Sequence, residues 1–148
     1  MSRQQGRVLA LDVGERRIGV ALSDASATLA SPYTTLPAYP AVQFFQKLTT
    51  ILQLEEVVAI VVGLPLSLSG QEGPQAQRIR TFIAELTTHT ALPIVTVDER
   101  YTTAEAQRVM IEAGLRPEQR KARIDEVAAS IILQDYLISQ QSPPTYDQ

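Results

Sequence analysis

The chain has no cysteine, no tryptophan and a single histidine among its 148 residues. Without thiols there is neither a disulfide nor a thiolate metal site, a composition that fits the cytosol. One histidine cannot build a multi-histidine metal centre, and it gives a Ser-His-Asp triad little to draw on. Any metal here must be held by oxygen ligands. Aromatics are scarce, five Tyr and three Phe, so no base-stacking platform for single strands stands out; Tyr101, beside an acidic motif, is the one of interest. No apolar run reaches the roughly eighteen residues that a membrane-spanning helix needs. The start, "MSRQQGRVLALDVG", enters an Asp-containing strand pattern instead of the uninterrupted apolar core of a signal peptide.

What is present is ordinary for a globular protein: 45% apolar and 20% charged residues. The length predicts a single domain over 1–148, with disordered polar ends at about 1–6 and 141–148. The net charge of −3 argues against a protein that coats nucleic acid generally. The charge is uneven, however. From Arg100 to Arg123 six basic residues face three acids, a local +3 that leaves −6 for the rest. Local clustering, more than net charge, steers a polyanion.

Periodicity predicts the element order β-β-β-α-β-α-β-α-α. Arg7–Val13 and Arg17–Ser23 read as a hairpin, with Gly14 in the turn between them. A third extended segment, about 28–36, carries Pro32 and is followed by Pro37, which places it at a sheet edge. Residues 41–54 put Ala41, Phe44, Phe45, Leu48, Ile51 and Leu52 on one helical face. "VVAIVVG", Val57–Gly63, is a β-branched run of the kind covered on both faces. After the loop "LPLSLSGQEGPQ", Ala76, Ile79, Ile83 and Leu86 mark a second helix, and Ile94–Val97 reads as a buried strand ending in "DERYTT". Thr102 and Glu105 have capping-box spacing for a helix ending near Gly114. A last helix is expected from about Lys121 to Gln140. This order implies an α/β fold, with a mixed five-stranded sheet, three antiparallel strands first and helices on both faces.

Three places put carboxylates where a plain fold would not. Asp12 interrupts the apolar run "VLALDVG", Asp98 and Glu99 end the fifth strand, and Asp125 lies on the last helix. At about 100° per residue, Asp125 shares a face with Ala128, Ala129, Ile132 and Tyr136, and the two alanines would let that helix approach the sheet closely. Three carboxylates meeting there would repel one another unless a divalent cation sat among them. Oxygen ligands of this kind suit Mg²⁺ or Mn²⁺, and two ions about 3.5–4 Å apart could serve the two sides of a phosphodiester. Strand alternation forbids Asp98 and Glu99 from pointing the same way, and the pattern leaves open which faces inward. Taken singly, each acid has a plainer explanation, as a turn residue, an ion-pair partner or a helix-start residue. The cation reading rests on all three together.

With these residues in place, the chain resembles the YqgF/RuvX family, within the RNase H-like group of RuvC-type nucleases. The likeness is carried by "LDVGERRIGVALSD", "VVGLPLSLSG", "VDERYTT" and "KARIDEVAASIILQDYL", in order and spacing, and it spans about Val8 to Tyr136. Arg16 stands where the family usually has Lys. The resemblance implies an RNase H-like fold and a cytoplasmic nuclease. It implies catalytic, metal-holding roles for Asp12, for the acid of the "DER" motif and for Asp125. By similarity to the resolvases that second acid is Glu99, with Asp98 as the alternative. The implied activity is processing of the 5′ end of precursor 16S ribosomal RNA during ribosome biogenesis. Resolution of Holliday junctions in branched DNA is the alternative, for which a homodimer would be expected.

Around the acids, Arg16, Arg17, Arg100, Lys121 and Arg123 are candidates for phosphate contacts, which position a strand without reading its sequence. The Ser67–Gly73 loop is a candidate lid or a plain connector. "DVGERRIGVA" also looks like the phosphate-binding hairpin of actin-like ATPases and sugar kinases; those clamp ATP between two such domains, and this length holds one. A non-catalytic RNA- or ribosome-binding module is the remaining reading, against which the intact acid set speaks.

Overall fold

The computed structural model describes residues 6–65, 72–99 and 102–141. It contains β1 (Arg7–Val13), β2 (Arg17–Ser23), β3 (Ala30–Pro37), α1 (Ala41–Leu54), β4 (Val57–Leu64), α2 (Pro74–Leu86), β5 (Ile94–Asp98), α3 (Thr102–Glu112) and α4 (Pro117–Ser139). The sheet runs in the order β3-β2-β1-β4-β5. β1 pairs antiparallel with β2 and β2 with β3, whereas β1–β4 and β4–β5 are parallel. This is the expected element order and mixed sheet.

The two faces of the sheet carry different side chains, and that difference places the helices. On one face Leu9, Leu11, Val13, Ile18, Val20, Ile60 and Val62 pack against Phe44, Phe45, Leu48 and Leu52 of α1 and Ala76, Ile79 and Leu86 of α2. Phe44 is 2% exposed, and truncating such a side chain to alanine costs about 3–5 kcal/mol. The opposite face is built from smaller residues: Val8, Ala10, Ala21, Ala59 and Val61, covered by Ala129, Ile132, Leu133, Tyr136 and Leu137 of α4. α3 never reaches the sheet core. It lays Ala106 and Met110 on Val127 and Ala128 of α4. Ala128 therefore faces α3, away from the sheet, and the close approach expected from two alanines rests on Ala129 and on glycines of the sheet.

Several boundaries differ from the sequence reading for identifiable reasons. β3 starts at Ala30 because Asp24 Oδ1 accepts the N–H groups of Thr28 (2.8 Å) and Leu29 (3.2 Å), folding those residues into a turn. α4 starts at Pro117, whose missing N–H is no loss at the first helical position. Just before it, the Arg116 N–H donates to Gln119 Oε1 at 2.8 Å. β5 lies at the sheet edge and its residues are half-buried or exposed, so it is not the fully covered strand that its apolar run suggested. α3 ends at Glu112, near Gly114 as expected; Gly114 adopts a left-handed φ of +84° as the Leu115 N–H bonds back to Met110 O at 3.0 Å. Gly6, expected in the frayed start, donates its N–H to Ala25 O at 3.0 Å.

Candidate active site

Strand alternation puts Asp12 on the small-residue face of the sheet, with Val8 and Ala10, beneath α4. Both neighbouring strands present a glycine beside it. In the β1–β2 ladder Asp12 stands opposite Gly19. On the other side, Leu11 is in register with Val62 of β4, so the next residue, Gly63, flanks Asp12. A Cβ at Gly19 would run into the backbone carbonyl of Asp125 and lie 2.8 Å from Glu126 N. α4 therefore crosses the sheet on this glycine, and the crossing brings Asp125 beside Asp12. A Cβ at Gly63 would lie 2.9 Å from Glu99 Cδ and Oε2 and 2.7 Å from Ile132 Cδ1. The Glu99 carboxyl rests on that bare stretch of β4.

β5 delivers Glu99 there by alternation. Val95 and Val97 pack into the α4-side core, so Glu99 follows them onto that face and Asp98 turns outward, exposed. Glu99, not Asp98, meets Asp12, and the two carboxyl groups are hydrogen-bonded. Burial, followed by the charge of Asp12 and this hydrogen bond, pushes the Glu99 carboxyl up to about 9. Burial likewise raises Asp12 to about 6, with the charge of Asp125 adding to it and the Glu99 hydrogen bond opposing. At neutral pH the pair keeps a proton on Glu99, donated to the Asp12 carboxylate.

Asp125 is close enough for its charge to act on Asp12, yet its own carboxylate is engaged by Arg17, Nε to Oδ2 at 2.9 Å. So the structure joins Asp12 and Glu99 directly, with Asp125 beside them held by an arginine. Among the described residues, no three carboxylate, histidine or cysteine side chains close on a common point. The donor chemistry nonetheless fits a hard divalent cation. The nearby groups are all carboxylate oxygens, and two of them cannot both ionise in contact without a positive charge between them.

The basic residues proposed for phosphate contact divide into three groups. Arg16, at the tip of the β1–β2 turn, and Lys121 are exposed and have no acidic partner among the described residues. Arg17 is bound to Asp125. Arg123 donates to Glu126 Oε2 at 3.4 Å, while Glu126 Oε1 accepts Thr35 Oγ1 at 3.2 Å. Arg100, Tyr101 and positions 67–71 of the candidate lid lie outside the described residues, as do the side chains of Thr102 and Thr103. Of that loop's end, Glu72 is tied to Arg80, with Nη2 to Oε2 at 2.8 Å.

The sequence reading passed over Gly19, Gly63 and Glu126. The glycines carried a signal, since a strand-interior glycine marks a bulge or a close approach. Gly14 does not act through a left-handed turn; a Cβ there would lie 2.7 Å from Arg17 O, whose carbonyl accepts the Gly14 N–H at 2.9 Å.

A family model described as RuvX: Holliday junction resolvase matches residues 6–139. The chain is 55% identical over 141 residues to a protein of Roseiflexus sp. (strain RS-1) named "Putative pre-16S rRNA nuclease", covering 95% of this chain and 100% of that one. It is 47% identical over 137 residues to a protein of the same name from Chloroflexus aurantiacus (strain ATCC 29366 / DSM 635 / J-10-fl), covering 93% and 90%. Among solved structures it is similar to T. thermophilus RuvC in complex with Holliday junction substrate, with a TM-score of 0.56 at 12% identity over 91% of this chain and 95% of that one. That likeness is one of fold: the RNase H-like sheet with its helices.

Proposed function

Because the chain belongs to the RuvX family, we propose that it is a metal-dependent nuclease that hydrolyses phosphodiester bonds in precursor 16S ribosomal RNA at Asp12, Glu99 and Asp125. The observation that carries this reading is the contact between Asp12 and Glu99, two carboxyl groups at the carboxyl edge of the sheet on a bed of two glycines. A purely structural role would not keep such a pair, since burying carboxylates without a partner destabilises a fold by several kcal/mol. The arrangement is useful where a cation and a phosphate are to be received.

Mg²⁺ or Mn²⁺ held by these three acids would supply the positive charge against which a phosphodiester is cleaved. The chain's own residues do the rest. Glu99 holds a proton that must leave before both oxygens of the pair become donors. Asp12 is fixed by its strand, and Asp125 by a helix that cannot slide while it rests on Gly19. Arg16 and Lys121, without an acidic partner among the described residues, offer their charge to flanking phosphates and contribute affinity without reading sequence. A substrate of this kind places the protein with assembling ribosomal subunits in the cytoplasm.

The test is cleavage of precursor 16S RNA beside a four-way DNA junction, with and without Mn²⁺, by wild type, Asp12→Asn and Asp125→Asn. The expected result is cation-dependent cutting of the RNA that both variants lose while remaining folded at the assay temperature. Variants that cut as well as wild type would sink the site assignment. Cutting of the junction alone would transfer the reading to branched DNA.

A further inference from the structure

The carboxyl edge of the sheet carries a second feature that the acids do not use. Between the β1–β2 turn and the first turn of α2 lies an open cleft of about 650 Å³, lined by Gly14, Glu15, Pro74, Gln75 and Arg78. That volume falls within the range of sites that take small ligands or a nucleotide or two of a longer one. Arg78 is the one cation among its described lining residues. The two arginines of α2 contrast: Arg80 holds Glu72 in a two-point ion pair, whereas Arg78 is half-buried and has no carboxylate partner among the described residues. The first turn of α2 contains no acid that could serve. A guanidinium withdrawn partly from water and left without a counter-ion is suited to an anion arriving from outside.

The cleft begins two residues beyond Asp12 in the chain. Gly14 follows Asp12 by two residues of nearly extended chain, about 7 Å, which is roughly one through-space step between neighbouring phosphates of a single strand. A strand with its scissile phosphate at Asp12 thus has its next phosphate level with Gly14. Asp12 faces the α4 side of the sheet and α2 covers the other, so that strand would cross the carboxyl edge from one side to the other. Glu15 is the one acid among the described residues of the cleft wall, and it opposes a phosphate there.

We propose that this cleft is the path of the substrate strand beside the scissile bond, with Arg78 holding a neighbouring backbone phosphate; the proposal rests on the nuclease reading. The test is fluorescence anisotropy of a short labelled single strand, as RNA and as DNA of one sequence. Each is titrated across a range of salt concentrations into the full chain carrying Asp12→Asn, which prevents cutting. Adding Arg78→Ala is expected to weaken binding roughly tenfold and to reduce the salt slope by about 0.7, the value for one single-strand phosphate. The loss should be equal on both polymers, because a phosphate contact does not read the sugar. Glu15→Gln is expected to tighten binding, and Arg80→Ala, outside the cleft, to leave it unchanged. An unaltered slope in the Arg78→Ala chain, a loss confined to one polymer, or an equal loss in Arg80→Ala would each overturn the proposal. Wild-type cleavage measured alongside separates the two readings. Cutting by wild type with an unchanged Arg78→Ala slope removes the cleft alone, and no cutting under any cation removes the nuclease.

Discussion

Arg17 Nε donates to Asp125 Oδ2 at 2.9 Å, joining the hairpin's second strand to the last helix across 108 positions of sequence. The arginine side chain is 53% exposed and the aspartate 21%, so the bond adds little to stability, under about 1 kcal/mol. Its effect is on where the Asp125 charge is directed.

Arg17→Ala should therefore leave the unfolding midpoint nearly unchanged and strengthen Mn²⁺ binding several-fold, since a competing positive charge is removed from one of the three acids. Isothermal titration calorimetry on the full chain checks this. Equal affinity for wild type and variant would mean that Asp125 takes no part in holding a cation.

The two glycines beside Asp12 should respond differently to the same substitution. At Gly19 a methyl group meets the α4 backbone, which cannot yield without moving the helix. Gly19→Ala is expected to cost about 3 kcal/mol in urea unfolding, at the upper end for overpacking, and to abolish cleavage. At Gly63 the methyl meets Ile132 Cδ1 and the Glu99 carboxyl, both at the ends of flexible side chains. Gly63→Ala should cost only about 1 kcal/mol, yet lose most of the activity, because what yields is Glu99.

The proton held between Asp12 and Glu99 gives stability a pH dependence of definite sign. Both carboxyls are raised, Glu99 from 4.5 to about 9 and Asp12 from 3.8 to about 6, so the folded chain binds protons that the unfolded chain has released. Stability is then fully present below the unfolded values and falls as pH rises through the folded ones, between about 4 and 9. Chemical denaturation across that window should show the decline, and Glu99→Gln should remove most of it and stabilise the alkaline end. Saturating Mg²⁺ should flatten the same slope, because ligand oxygens must shed their protons. A wild-type slope of the opposite sign would exclude the shared proton.

Glu126 accepts Thr35 Oγ1 from the edge strand and Arg123 Nε from its own helix, one residue beyond Asp125. Glu126→Ala should cost about 1–2 kcal/mol and lower kcat by letting α4 turn, whereas Glu126→Gln, which keeps an acceptor for Thr35, should recover most of kcat. If alanine lowers stability while leaving kcat intact, Glu126 has no bearing on the position of Asp125.

Much of this architecture can be read from the sequence, and the parts that cannot share a cause. Asp12 is legible because a carboxylate inside "VLALDVG" conflicts with its surroundings, and the element order is legible because the periods of Phe44–Leu52 and Val57–Gly63 are unambiguous. The choice between Asp98 and Glu99 required knowing which face of β5 α4 covers, a fact of packing that "DER" does not contain. Ala128 was misplaced because α3 packs against that side of α4, which no helical wheel of α4 alone reveals. The apolar run of β5 resembles a covered strand, but its place at the sheet edge follows from the order of all five strands. The pairing of Arg17 with Asp125 has no local signature. It exists because Gly19 lets a distant helix lie flat on the sheet.

That helix also follows every other described element in chain order. The first acid emerges from the translating ribosome with the opening hairpin, but the third follows only after both crossovers and the α3–α4 turn have been made. Until α4 docks on Gly19, Asp12 has neither its neighbour nor its cover. A nascent chain that has emerged only as far as the opening hairpin therefore carries Asp12 on a strand without the neighbours that set its chemistry.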